Sequence, residues 1–371
     1  MRTSRMAIIA AGLCLVAAAC SGGTGRGGGA SSTSAAAATT SGATPTAKIG
    51  VILPEADPSK RWETVDRPYF EDAFAAAHVD FVIRDAEGDR ARMGALADQL
   101  ISDGVTVLMM VNLDAESGAA IETKAKAAGV KTIDYDRLTP GGSASLFVSF
   151  DDVKAGELQG QGLVDCLEKR RATKPAVAVL NGSPADAGAA LLAQGYNSVL
   201  QPKFASGEWT LVDDRSVPDW NTQLAGEIFR DMLTKASGKV DGVLAANDGL
   251  GGAAIGVLHA SHMQVPVTGD GATVSGLRSI LAGDQCMTIY KPAKIEAAAA
   301  ATAAIALARG QVPETTGTVK DTQTGRDVPA ILVTPLAVTA KNIDVPIDDG
   351  HVSAADVCQG LEKQCAAAGV G

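Results

Sequence analysis

Apolar runs in this sequence repeatedly end on side chains that can hold a hydroxyl group. "KTIDYDRLTP" closes a strand-like run on Asp136 and Arg137, an acid and a base side by side. "KIGVIL" is followed by Arg61 and Trp62, "AVAVLNG" by Ser183 and Asp186, and "WTLVDD" by Asp219, Trp220 and Asn221. "GVLAA" ends on Asn247 and Asp248, "VPVTG" on Asp270 and "CMTIY" on Lys291. Carboxylates and Asn carbonyls accept from hydroxyls, whereas Arg, Lys and Asn amides donate, and charge strengthens each bond. Trp62 and Trp220 add flat apolar surface. Such a set fits the rim and the C–H face of a sugar ring. An unmatched polar group in a closed site costs about 1–3 kcal/mol, enough to discriminate between epimers. Taken alone, Asp136 beside Arg137 reads equally well as a structural ion pair; the recurrence at other strand ends favours a ligand.

Rigid elements must carry those ends. From Lys48 onward, short β-rich runs alternate with helical spacing: strands "KIGVIL", "DFVIRD", "VTVLMMV" and "VKTIDYD", with helices predicted over 61–77, 90–101 and 115–128. This alternation predicts βαβ units and a parallel sheet, and strands apolar throughout are those covered on both faces. After "RLTPGGSAS", "LFVSF" runs into a helix over 152–167 and a second series begins. It comprises "AVAVLNG", a helix over 187–200, "WTLVDD", a helix over 220–233, "VDGVLAAND", a helix over 250–259, "VPVTGD", a helix over 274–281 and "CMTIYK". A helix over 294–309 and a hairpin ending in "PAILVTP" remain, and can return to the first series. The expectation is an α/β fold of two doubly wound parallel-sheet lobes joined by a hinge that the chain crosses several times. Residues 47–149 plus 291–332 would form the N-terminal lobe and 150–290 plus 333–371 the C-terminal lobe. Ligands of open α/β sheets bind at the carboxyl ends of the strands.

The length of 371 residues allows two cores, and the net charge of −10 argues against nucleic acid as a partner. Arg2 and Arg5, an apolar run to Ala19 and then Cys20 read as a secretory signal over 1–20, too short to span a bilayer. "AAAC" followed by Ser21 and Gly22 resembles a bacterial lipoprotein signal, which implies lipidation of Cys20. Residues 21–46, rich in Gly, Ser, Ala and Thr, read as a flexible tether. Export permits disulfides. Cys358 and Cys365 are close enough for a local staple, which leaves Cys166 and Cys286; four cysteines still allow three connectivities. No zinc-type Cys/His spacing is present.

The body from Lys48 to about Ile343 resembles the bacterial periplasmic sugar-binding proteins of ABC importers, in their xylose-binding branch. The resemblance rests on "RW" at Arg61–Trp62, "YDR" at Tyr135–Arg137, "SFDDVKAGELQGQGLVD", "NGSPAD", "PDWN", "AANDGLGGAAIGVL", "AGDQCMTIYKP" and "DVPAILVTP", in order along the chain. It implies the type I periplasmic binding protein fold and two lobes closing over one monosaccharide or polyol. It also implies delivery to a membrane permease, with no catalysis and no cofactor or metal, by a monomer anchored at the outer face of the cytoplasmic membrane. Arg61, Asp136, Arg137, Asn247 and Lys291 match ligand-contacting positions, and Trp220 the stacking aromatic. Asp186 is followed by Ala187 and Gly188 where that branch carries two Asn, and "GQDA" is replaced by "GDGA" at Asp270. These departures leave the sugar open: a pentose, a hexose or a sugar alcohol.

Other readings are weaker. "GLGGAA" after a strand mimics a dinucleotide fingerprint, but a lone glycine pattern carries little weight, and Asp248 beside it would repel a pyrophosphate. His259 and His262 lack a third metal ligand, Trp209 reads as packing, and no GxSxG or HExxH is present. Two rival functions share the polar inventory. One is a sensory subunit serving a membrane signalling receptor. The other is a secreted carbohydrate-active enzyme with Asp136 and Asp248 as acid and base.

Overall fold

The computed structural model describes residues 47–54, 61–184 and 186–370. The signal segment, Cys20 and the tether lie outside the described residues. The first series of elements is β1 (Lys48–Leu53), α1 (Arg67–Ala76), β2 (Asp80–Asp85), α2 (Arg90–Ser102), β3 (Val107–Met110), α3 (Ala115–Ala127), β4 (Lys131–Tyr135) and β5 (Leu146–Phe150). The second is α4 (Asp152–Lys169), β6 (Ala176–Asn181), α5 (Ala187–Ala205), β7 (Thr210–Ser216), α6 (Thr222–Lys235), β8 (Gly242–Ala245), α7 (Asp248–Ala260), α8 (Val274–Ala282) and β9 (Thr288–Tyr290). Then follow α9 (Ala293–Ala308), β10 (Gly317–Lys320), β11 (Asp327–Val333), β12 (Leu336–Val338) and three short helices, α10 (Val345–Asp348), α11 (Ala354–Cys358) and α12 (Glu362–Ala367).

A seven-stranded sheet runs in the order β10-β11-β5-β4-β3-β1-β2. It is parallel except for β10, which forms an antiparallel hairpin with β11. The strand alternation places Val107 and Met109 in one core with α1 and α9, and Leu108 and Met110 in another with α2 and α3. Both faces are therefore covered, as a parallel sheet requires. The alanines of α9 bring that helix close against β1, β3, β4, β5 and β11.

The second sheet is built on β7-β6-β8, parallel throughout. Single bridges, Val243 to Val267 and Thr268 to Met287, extend it to β9, and β12 pairs antiparallel with β9. The strand expected at "VPVTGD" is reduced to those bridges, because Pro266 has no N–H to donate to a ladder. Its carbonyl still accepts from Val243. The chain passes between the sheets three times: after β5, between β9 and α9, and between β11 and β12. Disulfides join Cys166 to Cys286, and Cys358 to Cys365.

The helix expected over 61–77 is not uniform. Residues Trp62–Asp66 form a π-helical turn before α1. Pro68 cannot donate to the Thr64 carbonyl, so the α-type ladder is interrupted there, and the Arg67 N–H reaches back to the Trp62 carbonyl instead. The wider turn puts residues five apart on one face, which brings Arg61 and Asp66 together.

Candidate functional site

The first polar group forms around Arg61. Its Nε donates to Asp66 Oδ2 at 3.1 Å, its Nη1 to Asp136 Oδ1 at 3.0 Å, and its Nη2 to Glu296 and to Asp66 Oδ1. Tyr135 donates to Asp66 as well. Asp66 and Glu296 are fully buried, while the Asp136 side chain keeps 22% of its surface. Burial pushes the carboxyls of Asp66 and Glu296 above their ordinary range despite the guanidinium, most strongly for Glu296. The one carboxylate of the three that reaches solvent, Asp136, sits at φ 64. Left-handed backbone is costly for most side chains but tolerated by Asp, and strain of this kind collects at binding sites.

Arg137 is held from behind. Its Nη1 donates to the Asn112 carbonyl at 3.2 Å, and Asn112 Nδ2 donates to the Arg137 carbonyl at 3.0 Å. The Arg137 Nε lies 3.8 Å from Asp136.

The second group centres on Lys291, just after β9. Its Nζ is 2.8 Å from Asp152 at the start of α4 and 3.8 Å from Asp270. Burial lowers the lysine's affinity for its proton, but Asp270 and Asp152, with a further contribution from Asp136, more than reverse this. Burial pushes Asp270 up to about 6, against the pull of Lys291. A raised carboxyl pKa means the folded protein holds an extra proton, so this stability is full below about pH 4 and is lost as pH rises through 6. An Asp270→Asn variant should lack that dependence. The melting temperature of the native protein relative to the variant should fall between pH 4 and pH 7, by an amount equivalent to roughly 2–3 kcal/mol; parallel profiles would contradict this.

The third group lies at the second sheet. Trp220 Nε1 donates to Asp186 Oδ2 at 3.0 Å. Its ring stands so close over Gly182 that a Cβ there would overlap it, and two successive left-handed residues, Asp219 and Trp220, present it. Asn247 is the N-cap of α7: its Oδ1 accepts from Leu250 at 2.9 Å. Its Nδ2 makes no hydrogen bond among the described residues.

Two expectations are corrected. Trp62 is only 3% exposed; its ring lies beneath the Arg61 guanidinium, 4.4 Å away, and edge-on to Tyr135. It braces the arginine and offers no face to a sugar. Asp248 is 2% exposed and accepts from Thr273 N, Thr273 Oγ1, Gln285 Nε2 and Thr288 Oγ1. It ties α7 to the segments before α8 and at β9, and it is not available as a ligand contact or as half of a catalytic carboxylate pair. Asp66, Asn112, Asp152 and Glu296 were missed by reading strand ends. The signal for Glu296 was present, as the lone acid in "EAAAAATAA" on a helix otherwise apolar enough to be buried. Among the described residues no cluster of His, Cys, Asp or Glu could hold a metal ion, and no helix is long and apolar enough to cross a membrane.

Two mostly parallel sheets covered by helices, between which the chain passes three times, with charged groups at their strand ends, define a two-sheet α/β fold. Residues 49–311 match the family model described as periplasmic binding protein domain, and the chain belongs to that family. It is 32% identical over 306 residues to the D-xylose-binding periplasmic protein of Escherichia coli (strain K12), covering 82% of this chain and 90% of that protein. It is 30% identical over 278 residues to the multiple sugar-binding periplasmic receptor ChvE of Rhizobium radiobacter, covering 70% of this chain and 78% of that one. Among solved structures, a carbohydrate transporter solute binding protein from Chloroflexus aurantiacus in complex with D-glucose superposes with a TM-score of 0.67 at 30% identity, covering 83% of this chain and 97% of that one.

Proposed function

We propose that this protein is the extracytoplasmic sugar-binding component of an ABC importer, that it performs no catalysis, and that its ligand is a xylose-like monosaccharide. The observation that carries the reading is the pair of charged groups at strand ends, Arg61 with Asp136 and Lys291 with Asp152 and Asp270. Opposite charges arranged in this way can donate to and accept from neighbouring hydroxyls of one ring. Trp220 supplies the apolar face, while Arg137, Asp186 and Asn247 complete the rim. The two sheets correspond to two lobes, 47–149 plus 291–332 and 150–290 plus 333–371, that close over the ligand. Transport relatives and the resemblance of "AAAC" to a lipoprotein signal support delivery to a permease by a monomer anchored through Cys20. The names of the relatives, one binding D-xylose and another several sugars, support a pentose first and a hexose second.

A thermal-shift screen over pentoses, hexoses and polyols tests this. A ligand at about 100 times its Kd should stabilise the protein by ~2.7 kcal/mol without being consumed. Asp136→Asn keeps a residue that tolerates left-handed backbone, and Asn247→Asp keeps the helix cap while removing the donor. Each should weaken binding roughly 10- to 100-fold, the loss of a charge-assisted hydrogen bond, in a protein that still melts cooperatively. Unchanged affinity in both would place the ligand elsewhere, and turnover of the sugar would replace transport with catalysis.

A further inference from the structure

Trp220 is held in a conformation that its own backbone disfavours. Asp219 and Trp220 follow one another at φ 54 and φ 53, and a bulky residue keeps left-handed backbone only where its surroundings impose it. The loop after β6 does so. Val217 N donates to the Asn181 carbonyl at 3.1 Å, Asp219 N to Ser183 Oγ at 3.2 Å and Trp220 Nε1 to Asp186 Oδ2 at 3.0 Å. Gly182 lies beneath the ring, where a Cβ would overlap Cη2 and Cζ2.

The two oxygens of Asp186 have separate partners. Oδ2 takes the indole N–H, and Oδ1 accepts from Gly188 N at 2.8 Å as the N-cap of α5. Asp186 has no ion pair among the described residues; Lys291 reaches Asp152 and Asp270 instead. Asp186 and Asp152 both approach Gly188: a Cβ there would stand 3.2 Å from Asp186 Oδ1 and 3.5 Å from Asp152 Oδ2. The Trp220 turn therefore borders the Lys291–Asp152 pair. With its only donor engaged, the indole has its apolar surface left for a ligand.

We infer that Gly182 and Asp186 are positioning residues for Trp220. The glycine sets how deep the ring lies and the carboxylate sets its rotation, so the part that Asp186 plays at the rim is exerted through the indole. A ring fixed beforehand spares the ligand the entropy of ordering it. The effect on affinity rests on the reading of Trp220 as the apolar face of the sugar site; the placement of the ring does not.

The test uses the full chain with Asp186→Ser, Gly182→Ala and Trp220→Phe, and with each of the first two combined with the third. Serine still caps α5 but has no second oxygen for the indole. The methyl added at Gly182 meets the far end of a side chain that can swing aside. Phenylalanine has no N–H and lacks the outer ring atoms that lie over Gly182. Trp62 and Trp209 are 3% and 5% exposed, whereas Trp220 is half-buried, so a quencher reaches Trp220 most readily. Acrylamide quenching without ligand should be steeper in Asp186→Ser and in Gly182→Ala than in the native protein, and neither substitution should alter it once Trp220 is replaced. Calorimetric titration with D-xylose and D-glucose should show affinity falling roughly three- to tenfold for each single substitution. The same substitutions should cost less than about twofold in the Trp220→Phe background, the non-additivity of residues that act as one unit.

Native-like quenching in either variant overturns the inference. So does an Asp186→Ser loss that is as large beside phenylalanine as beside tryptophan, since the carboxylate would then touch the sugar itself. If Trp220→Phe abolishes binding, the quenching comparison decides alone. Steeper quenching with no heat from either sugar in the native protein upholds the placement of the ring and counts against the sugar reading instead.

Discussion

Arg61→Leu should destabilise the protein by roughly 3–5 kcal/mol at pH 7, the range for removing one partner of a buried charge network. Asp66 and Glu296 are fully buried and rely on the guanidinium for charge-assisted hydrogen bonds. Leucine fills part of the space and satisfies neither. The loss should shrink as pH is lowered, because burial already holds both carboxyls above their usual range and a protonated acid tolerates the missing cation. Arg61→Lys should fall between, retaining the charge but not a fork that can reach Asp66, Asp136 and Glu296 at once. Urea unfolding at pH 5 and pH 7 measures all of this; a leucine variant as stable as the native protein at pH 7 would show that the network is not holding the fold.

The second large effect comes from adding one carbon. Gly156 on α4 and Gly195 on α5 face each other where the two helices cross. A Cβ at Gly195 would overlap the Val153 carbonyl oxygen and stand 2.7 Å from Glu157 N, and one at Gly156 would overlap the Leu192 carbonyl oxygen and stand 2.8 Å from Tyr196 N. Helix propensity alone favours alanine over glycine by about 1 kcal/mol. Here the obstacle is backbone, which cannot rotate away, so Gly195→Ala should cost a net 2 kcal/mol or more, or about 4–8 °C in Tm. Gly252→Ala on α7, with nothing within 4 Å of its added carbon, should be neutral or stabilising. If both substitutions stabilise, the close approach of α4 and α5 is not real.

The alternation of apolar runs and helical spacing was enough to read the two-series α/β plan, and the resemblance supplied the family. What escaped was local. Pro68 turned the start of a helix into a π-turn, and Pro266 reduced a strand to two bridges. At the strand ends, the reading named Arg61, Asp136 and Lys291; Arg61 pairs with Asp136 and Lys291 with Asp152. The same rule also collected groups with other work. Asp186 and Asn247 cap α5 and α7, Asp248 is an internal tie, and Trp62 supports Arg61. A polar residue after a strand is also the residue before a helix, so capping and ligand binding leave the same mark. The partners Asp66 and Glu296 come from a helical turn and from α9, where a rule about strands has no view.

The pairing of β11 beside β5 has a consequence for how the molecule is made. Phe147–Phe150 meets its neighbour only when residues 330–333 arrive, after β6 to β9 of the second sheet have been synthesised. Until then β5 is an apolar edge with open backbone groups, the kind of surface that recruits stray strands. Its completion depends on contacts distant along the chain, which slow folding. A nascent chain truncated before residue 327 should thus be sticky and need a holding factor, whereas one that reaches 333 can seal its own seam.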